Sequence, residues 1–308
     1  MKNKILANFA LFMTAFIWGL SFVAQRAGME YVGPYTFNAV RCIIGGISLI
    51  PVILLVKLTN KRPQTKHFRH LRHISLERAG IACGIALFIA MTIQQYCMQY
   101  VGAGKAGFIT ALYIIFVPVI AVLNGSKLAL NIIISIFLAL VGLYLLCWKA
   151  TTGVNVYDLL VLLSAFFYAI HIIVVGYYSR KANPVKISCI QFFVVGILSL
   201  PLMLLFEHTT MQALYECRIP ILCAGVVTCG VAYTLQIYGQ KYTASVLASL
   251  IFCLESVFAV LGGVLILGET MTTKEILGCV FMISAVILSN LHFEVPKQST
   301  PIEIEKDE

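Results

Sequence analysis

The sequence predicts an all-α membrane protein: ten transmembrane helices, arranged as two inverted five-helix repeats around a central cavity. Three observations carry this. The 308 residues are 60% hydrophobic and 11% charged, with a mean hydropathy of +0.93, against about 25% charged in soluble domains. Ten apolar runs, each near the roughly 20 residues that cross a bilayer as a helix, follow one another with short polar joints. The second five runs also repeat features of the first five in register.

In order, the runs are Ile5–Ala24, Tyr35–Val56, Ala79–Tyr100, Ala106–Leu123, Ala129–Trp148, Tyr157–Tyr178, Val185–Phe206, Ile219–Tyr238, Thr243–Leu267 and Lys274–His292. The first, behind Lys2 and Lys4, is longer than a signal-peptide core of about 7–15 residues, and it has a later internal copy. It is kept as a membrane helix. Three regions follow: 1–150, the first repeat, with a basic cytoplasmic loop at 57–78; 151–293, the second; and 294–308, an acidic, disordered cytoplasmic tail.

Charge sets the orientation. Of the 22 Lys and Arg, only Arg26, Lys105, Lys149, Arg218 and Lys274 fall on the side opposite the N-terminus, and Arg41 lies within a span. The remainder share the N-terminal side, which the positive-inside rule makes cytoplasmic for both termini. The same clustering in short loops argues against nucleic acid as the partner of the +9 net charge. The ten cysteines are scattered without C-x-x-C spacing and read as small buried hydrophobes, not metal ligands or disulfides.

The repeat is visible by sliding the chain on itself. At an offset of 150, Ala15-Phe16 meets Ala165-Phe166, Pro34 meets Pro184, Gly46-Ile47 meets Gly196-Ile197 and Pro51 meets Pro201. Past the basic loop the offset becomes 142: Gln94 meets Gln236, Tyr96 meets Tyr238, Leu112 meets Leu254 and Phe116 meets Phe258. Apolar sequences share Leu and Ile by chance far more easily than Pro, Gln and Tyr. Five spans per half is an odd number, so the halves enter the bilayer in opposite senses. Inverted repeats mark secondary transporters, with the substrate near the midplane where the halves meet.

Polar residues inside the apolar runs are the candidate chemistry. Glu255 is the carboxylate set deepest in an apolar run, where a charge costs roughly 2.5–3.5 kcal/mol and must face protein or a wet cavity. It is the substrate-binding and proton-coupling candidate. Thr14, Trp18, Ser21 and Gln25 share one face of the first helix, and Ser164, Tyr168 and His171 keep the same steps in the sixth. Gln94, Gln95 and Gln99 in the third span, and Tyr233, Gln236 and Gln240 in the eighth, are neutral groups. Their amides donate and accept, which suits a polar organic solute better than a bare metal ion. Trp18, Gln95, Tyr113, Tyr168, His171, Tyr233, Gln236 and Glu255 are assigned to substrate binding. Arg41 and its repeat mate Gln191 are assigned as structural or substrate-binding. Inter-helix hydrogen bonding with no ligand is the competing reading of such residues. Gly102-x-Gly104-x-x-Gly107 spells a dinucleotide fingerprint, but no strand precedes it and it is read as helix packing.

Four stretches, Ala15–Arg26 (AFIWGLSFVAQR), Pro34–Arg41 (PYTFNAVR), Ala106–Pro118 (AGFITALYIIFVP) and Leu254–Glu269 (LESVFAVLGGVLILGE), resemble the EamA-type branch of the drug/metabolite transporter superfamily in order and over nearly the whole chain. Trp18-Gly19, Arg41, Pro118, Glu255 and Gly268-Glu269 sit at family motif positions. Ser256 stands where many relatives have proline, which predicts a straighter ninth helix. Gly125-Ser126-Lys127 ends the fourth span without the Gly-Glu of the ninth. The resemblance implies a bacterial inner-membrane exporter or exchanger of small metabolites such as amino acids or nucleosides. The reading is a secondary active transporter working by alternating access, coupled to protons through Glu255, as a monomer or homodimer, with no cofactor. A cationic-drug efflux carrier on the same fold is the alternative. An intramembrane enzyme or channel is disfavoured: there is no H-E-x-x-H, and the only Asp, Asp158 and Asp307, lie outside the membrane core.

Overall fold

A computed structural model describes residues 2–59, 66–101, 103–147, 155–267 and 271–291. Its described residues are helical with short turns. The first three spans are α1 (Lys2–Gly28), α2 (Pro34–Thr59) and α3 (Lys66–Cys97). Helix therefore begins well inside the predicted 57–78 loop. The fourth span is two helices, α4 (Ala103–Ala111) and α5 (Tyr113–Leu123), and the fifth is α6 (Leu130–Cys147). The second half holds α7 (Val156–Tyr178), α8 (Pro184–Phe206) and the short α9 (Met211–Glu216). Its eighth span is composite: α10 (Arg218–Leu222), a π-helix (Cys223–Ala232) and α11 (Tyr233–Gln240). The ninth is α12 (Ser245–Phe252) and α13 (Leu254–Leu267), and the tenth is α14 (Thr273–Leu291). Nine of these stretches are long and apolar enough to cross a membrane, and Leu130–Leu146 is a shorter apolar helix. The tail 294–308, the boundary at 150, and Gly268-Glu269 lie outside the described residues.

Each helix turns one face to lipid. On α1, Ile5, Phe9, Phe12 and Phe16 are exposed, while Ala7, Leu11, Thr14, Ser21 and Gln25 are buried. This is the 3.6-residue pattern with its polar side inward, as a hydrocarbon environment requires. Helix pairing has the symmetry of the repeat. α2 packs along its mate α8, and α6 along its mate α14, while α3 packs on α7 as the eighth span packs on α1. Glycines permit the closest approaches. A Cβ at Gly196 would meet Ile43, one at Gly46 would meet Phe193, and Gly142 and Gly278 cross backbone to backbone.

The ninth span is interrupted at Cys253, between α12 and α13. Winding tightens at Cys253, and the fourth span tightens at Leu112, its repeat neighbour. Ile115 N bonds Leu112 O at 2.9 Å, an i→i−3 contact. The Ala111 carbonyl is thereby released, and the Cys253 thiol donates to it at 3.6 Å. The break in the ninth span thus supplies a donor to the carbonyl orphaned in the fourth, as buried backbone demands.

Candidate functional site

The breaks set Tyr113 and Glu255 face to face. Tyr113 Oη donates to Glu255 Oε1 at 3.0 Å, and both side chains are buried, at 2% and 4% exposure. Gly19 of α1 is what lets the ninth span come this close: a side chain there would run into the Glu255 carbonyl, Phe258 and the Ala259 nitrogen.

Glu255 and Tyr113 sit on the wall of a cavity between the repeats. Trp18, Tyr168 and Tyr233 give it aromatic sides. Trp18 lies 4.8 Å from Tyr233 and 5.1 Å from Phe252, centroid to centroid. Tyr168 Oη donates to Gln94 Oε1 at 2.8 Å, and Gln94 Nε2 donates to Thr110 Oγ1 at 2.8 Å. Ser21, Phe22, Gln25, Met91 and Thr228 complete the wall with Arg41. The water-accessible interior is about 40 Å³, room for a few water molecules.

Arg41 is 2% exposed and lies in this wall rather than reaching the bilayer surface. It donates to Asn38 Oδ1 at 2.6 Å and lies 5.1 Å from the centroid of the Phe37 ring. Asn38 in turn donates to the Met91 carbonyl at 3.2 Å. Gly225 in the π-helix makes room for the Arg41 backbone. No ion pair within 4.0 Å joins Arg41 to Glu255 among the described residues. A guanidinium and a carboxyl group thus share one small cavity without neutralising each other. The buried Nε of Arg41 and Nε1 of Trp18 have no hydrogen-bond partner.

The structure brings Trp18, Tyr113, Tyr168, Tyr233, Glu255 and Arg41 together at the cavity. Gln95, His171, Gln191 and Gln236 lie off its wall. Gln95 Nε2 contacts Met29 Sδ at 2.8 Å. His171 Nε2 is 3.3 Å from Gln191 Oε1, and Gln236 donates to Gln240 Oε1 at 3.2 Å. Met91, Thr110 and Thr228 were missed by sequence reasoning. Thr110 stands three residues before Tyr113 on one helix face, and Met91 is the repeat mate of Tyr233, so spacing and offset were the available signals.

Comparison with known proteins agrees with this architecture. The sequence model of the EamA-like transporter family matches twice, over residues 5–148 and 155–291, once per repeat. The chain belongs to the EamA-like transporter family. An uncharacterized transporter of Archaeoglobus fulgidus is 30% identical over 290 residues, covering 94% of this chain and 87% of that protein. The uncharacterized transporter YoaV of Bacillus subtilis is 22% identical, covering 90% and 94%. A crystal structure superposes with a TM-score of 0.74 at 16% identity, over 94% of this chain and 96% of the other, a likeness of fold alone. This EamA-family chain is therefore a multi-pass membrane protein of a transporter family.

Proposed function

We propose that this EamA-family protein is a secondary carrier, an exporter or exchanger, for a small zwitterionic metabolite such as an α-amino acid. It would work by alternating access and couple to protons at Glu255. The observation that supports it is the unpaired placement of Arg41 and Glu255 on one cavity wall. Arg41 offers a donor fork for a carboxylate, and Glu255 offers an acceptor for an ammonium group or a site for a proton. Trp18, Tyr168 and Tyr233 provide aromatic faces for the rest of the solute. The interior is too small for a whole metabolite, so entry requires the helices to part, as alternating access does. Arg41 on the wall disfavours a purely cationic drug, whose charge it would repel. The basic bias of the loops supports a cell-membrane protein with both termini in the cytoplasm.

Counterflow tests the reading. Purified protein in liposomes preloaded with a mixture of unlabelled amino acids should take up a labelled amino acid saturably, faster than empty-loaded vesicles. Flux that rises linearly with concentration, or none for any amino acid, overturns it. Uptake of nucleosides alone would replace the substrate class.

A further inference from the structure

The cavity wall has an asymmetry that the repeat makes legible. Trp18 and Tyr168, Met91 and Tyr233, and Tyr113 and Glu255 are repeat mates at offsets of 150, 142 and 142, and both members of all three pairs line the cavity. These six residues straddle the axis that relates the halves. Outside these pairs the wall draws mainly on the first half, with Thr228, whose mate Ala86 is not on it, as the second-half exception. Ser21, Gln94 and Arg41 line the cavity; their mates His171, Gln236 and Gln191 do not. Ser21, Phe22 and Gln25 extend the lining toward the end of the bundle where α1 finishes.

The three absent mates are 0–1% exposed, and two carry buried polar atoms with nothing to bond: Gln191 Nε2 and Gln236 Oε1. Buried amide groups are normally satisfied. Beyond them, toward the end where α1 begins, Val175, Ile187 and Ile237 close the bundle as an apolar plug with Ala79, Cys83 and Ala182. The mates of the three plug residues at the other end are Gln25, Phe37 and Gln95, two of them amides.

We propose that His171, Gln191 and Gln236 are a second half-site, closed here, that takes over the polar end of the solute when the plug parts and the α1-start face opens. This rests on the carrier reading above. The six axial residues serve both half-sites. The exchanged residues differ in chemistry: Ser21, Arg41 and Gln94 include a fixed cation, whereas His171, Gln191 and Gln236 offer an imidazole and two amides. A carboxylate is therefore held more weakly from the second side, and that face releases an anionic group while the other captures it. The unsatisfied amide atoms are the groups waiting for that ligand.

Accessibility tests this without a known substrate. Single cysteines at 21, 94, 171 and 236, in a chain whose native cysteines are replaced, are treated with a charged, membrane-impermeant maleimide in right-side-out and in inverted membranes. Ser21→Cys and Gln94→Cys should label at least tenfold faster from one face, and His171→Cys and Gln236→Cys at least tenfold faster from the other. Adding Val175→Gln and Ile237→Gln, which give the plug the amide character of its mates, should speed labelling at 236 and slow it at 21. If the cysteine-free chain does not elute as one species, the same positions are read in the native chain as labelling above its own background. All four positions reacting from one face, or 171 and 236 inert while 21 and 94 react, overturns the second half-site. Counterflow persisting in that case leaves the carrier reading standing. Inertness at all four with no flux removes both.

Discussion

Tyr113 and Glu255 are the same position of the two repeats, 142 residues apart, and the hydroxyl of one donates to the carboxylate of the other at 3.0 Å. In the cycle proposed above, in which the halves exchange roles, this pair would keep its place between them and face solute and protons from both sides.

Glu255→Gln keeps the size and an acceptor for the Tyr113 hydroxyl but cannot release a proton. Counterflow should persist within about threefold, and uptake driven by an imposed pH gradient should vanish. Gradient-driven uptake at the wild-type rate would exclude proton coupling at Glu255. Glu255→Ala instead strands the buried hydroxyl and should lower stability by about 1–3 kcal/mol, read as a fall in the melting midpoint in detergent.

Arg41 has no carboxylate to neutralise among the described residues, so Arg41→Leu should fold. Its expected phenotype is on the ligand: a KM for amino acids raised at least tenfold, consistent with losing a charged hydrogen bond of about 1.5–3 kcal/mol. Arg41→Lys should recover only part of this, because an ammonium lacks the planar fork. An unchanged KM in Arg41→Leu would assign the residue to helix packing.

Gly19→Ala places a methyl group against the Glu255 carbonyl, Phe258 and Ala259. Overpacking of this kind costs about 1–3 kcal/mol. A lowered melting midpoint and impaired flux are both expected, since the ninth span carries Glu255. Gly107→Ala is the control: only the far end of the Phe22 ring comes near, and little change is expected.

Glu207, just past α8, accepts from the backbone nitrogens of Tyr35 and Thr36 at 2.9 and 2.7 Å. It caps α2, the mate of the helix it follows. Glu207→Ala frees two donors at a helix start and should cost about 1–2 kcal/mol. KM should hold, because the cap lies away from the cavity wall.

Spans and repeat were legible because membrane burial forces long apolar runs and confines polar residues to inner faces. Trp18, Tyr168 and Glu255 stood out for that reason. The breaks at Leu112 and Cys253 were not legible: neither residue is Pro or Gly, and the tightening is fixed by a contact between segments 142 residues apart. Gln95 was misleading because adjacent glutamines on one helix point to different neighbours. Gln94 turns to Tyr168 and Thr110, while Gln95 turns to Met29. The Glu207 cap was invisible because no local pattern joins a carboxylate at the end of one helix to the start of a distant one.

The wider coil of Cys223–Ala232 has no counterpart in α3, where the equivalent residues, 81–90, are ordinary α-helix. The two halves are therefore unequal springs. Rewinding that stretch by a single residue would swivel whatever follows it by about 100°, and the residue that follows is Tyr233, whose ring lies tilted against Trp18. A small local change of pitch would thus sweep an aromatic ring across the cavity, carrying the rest of α11 with it.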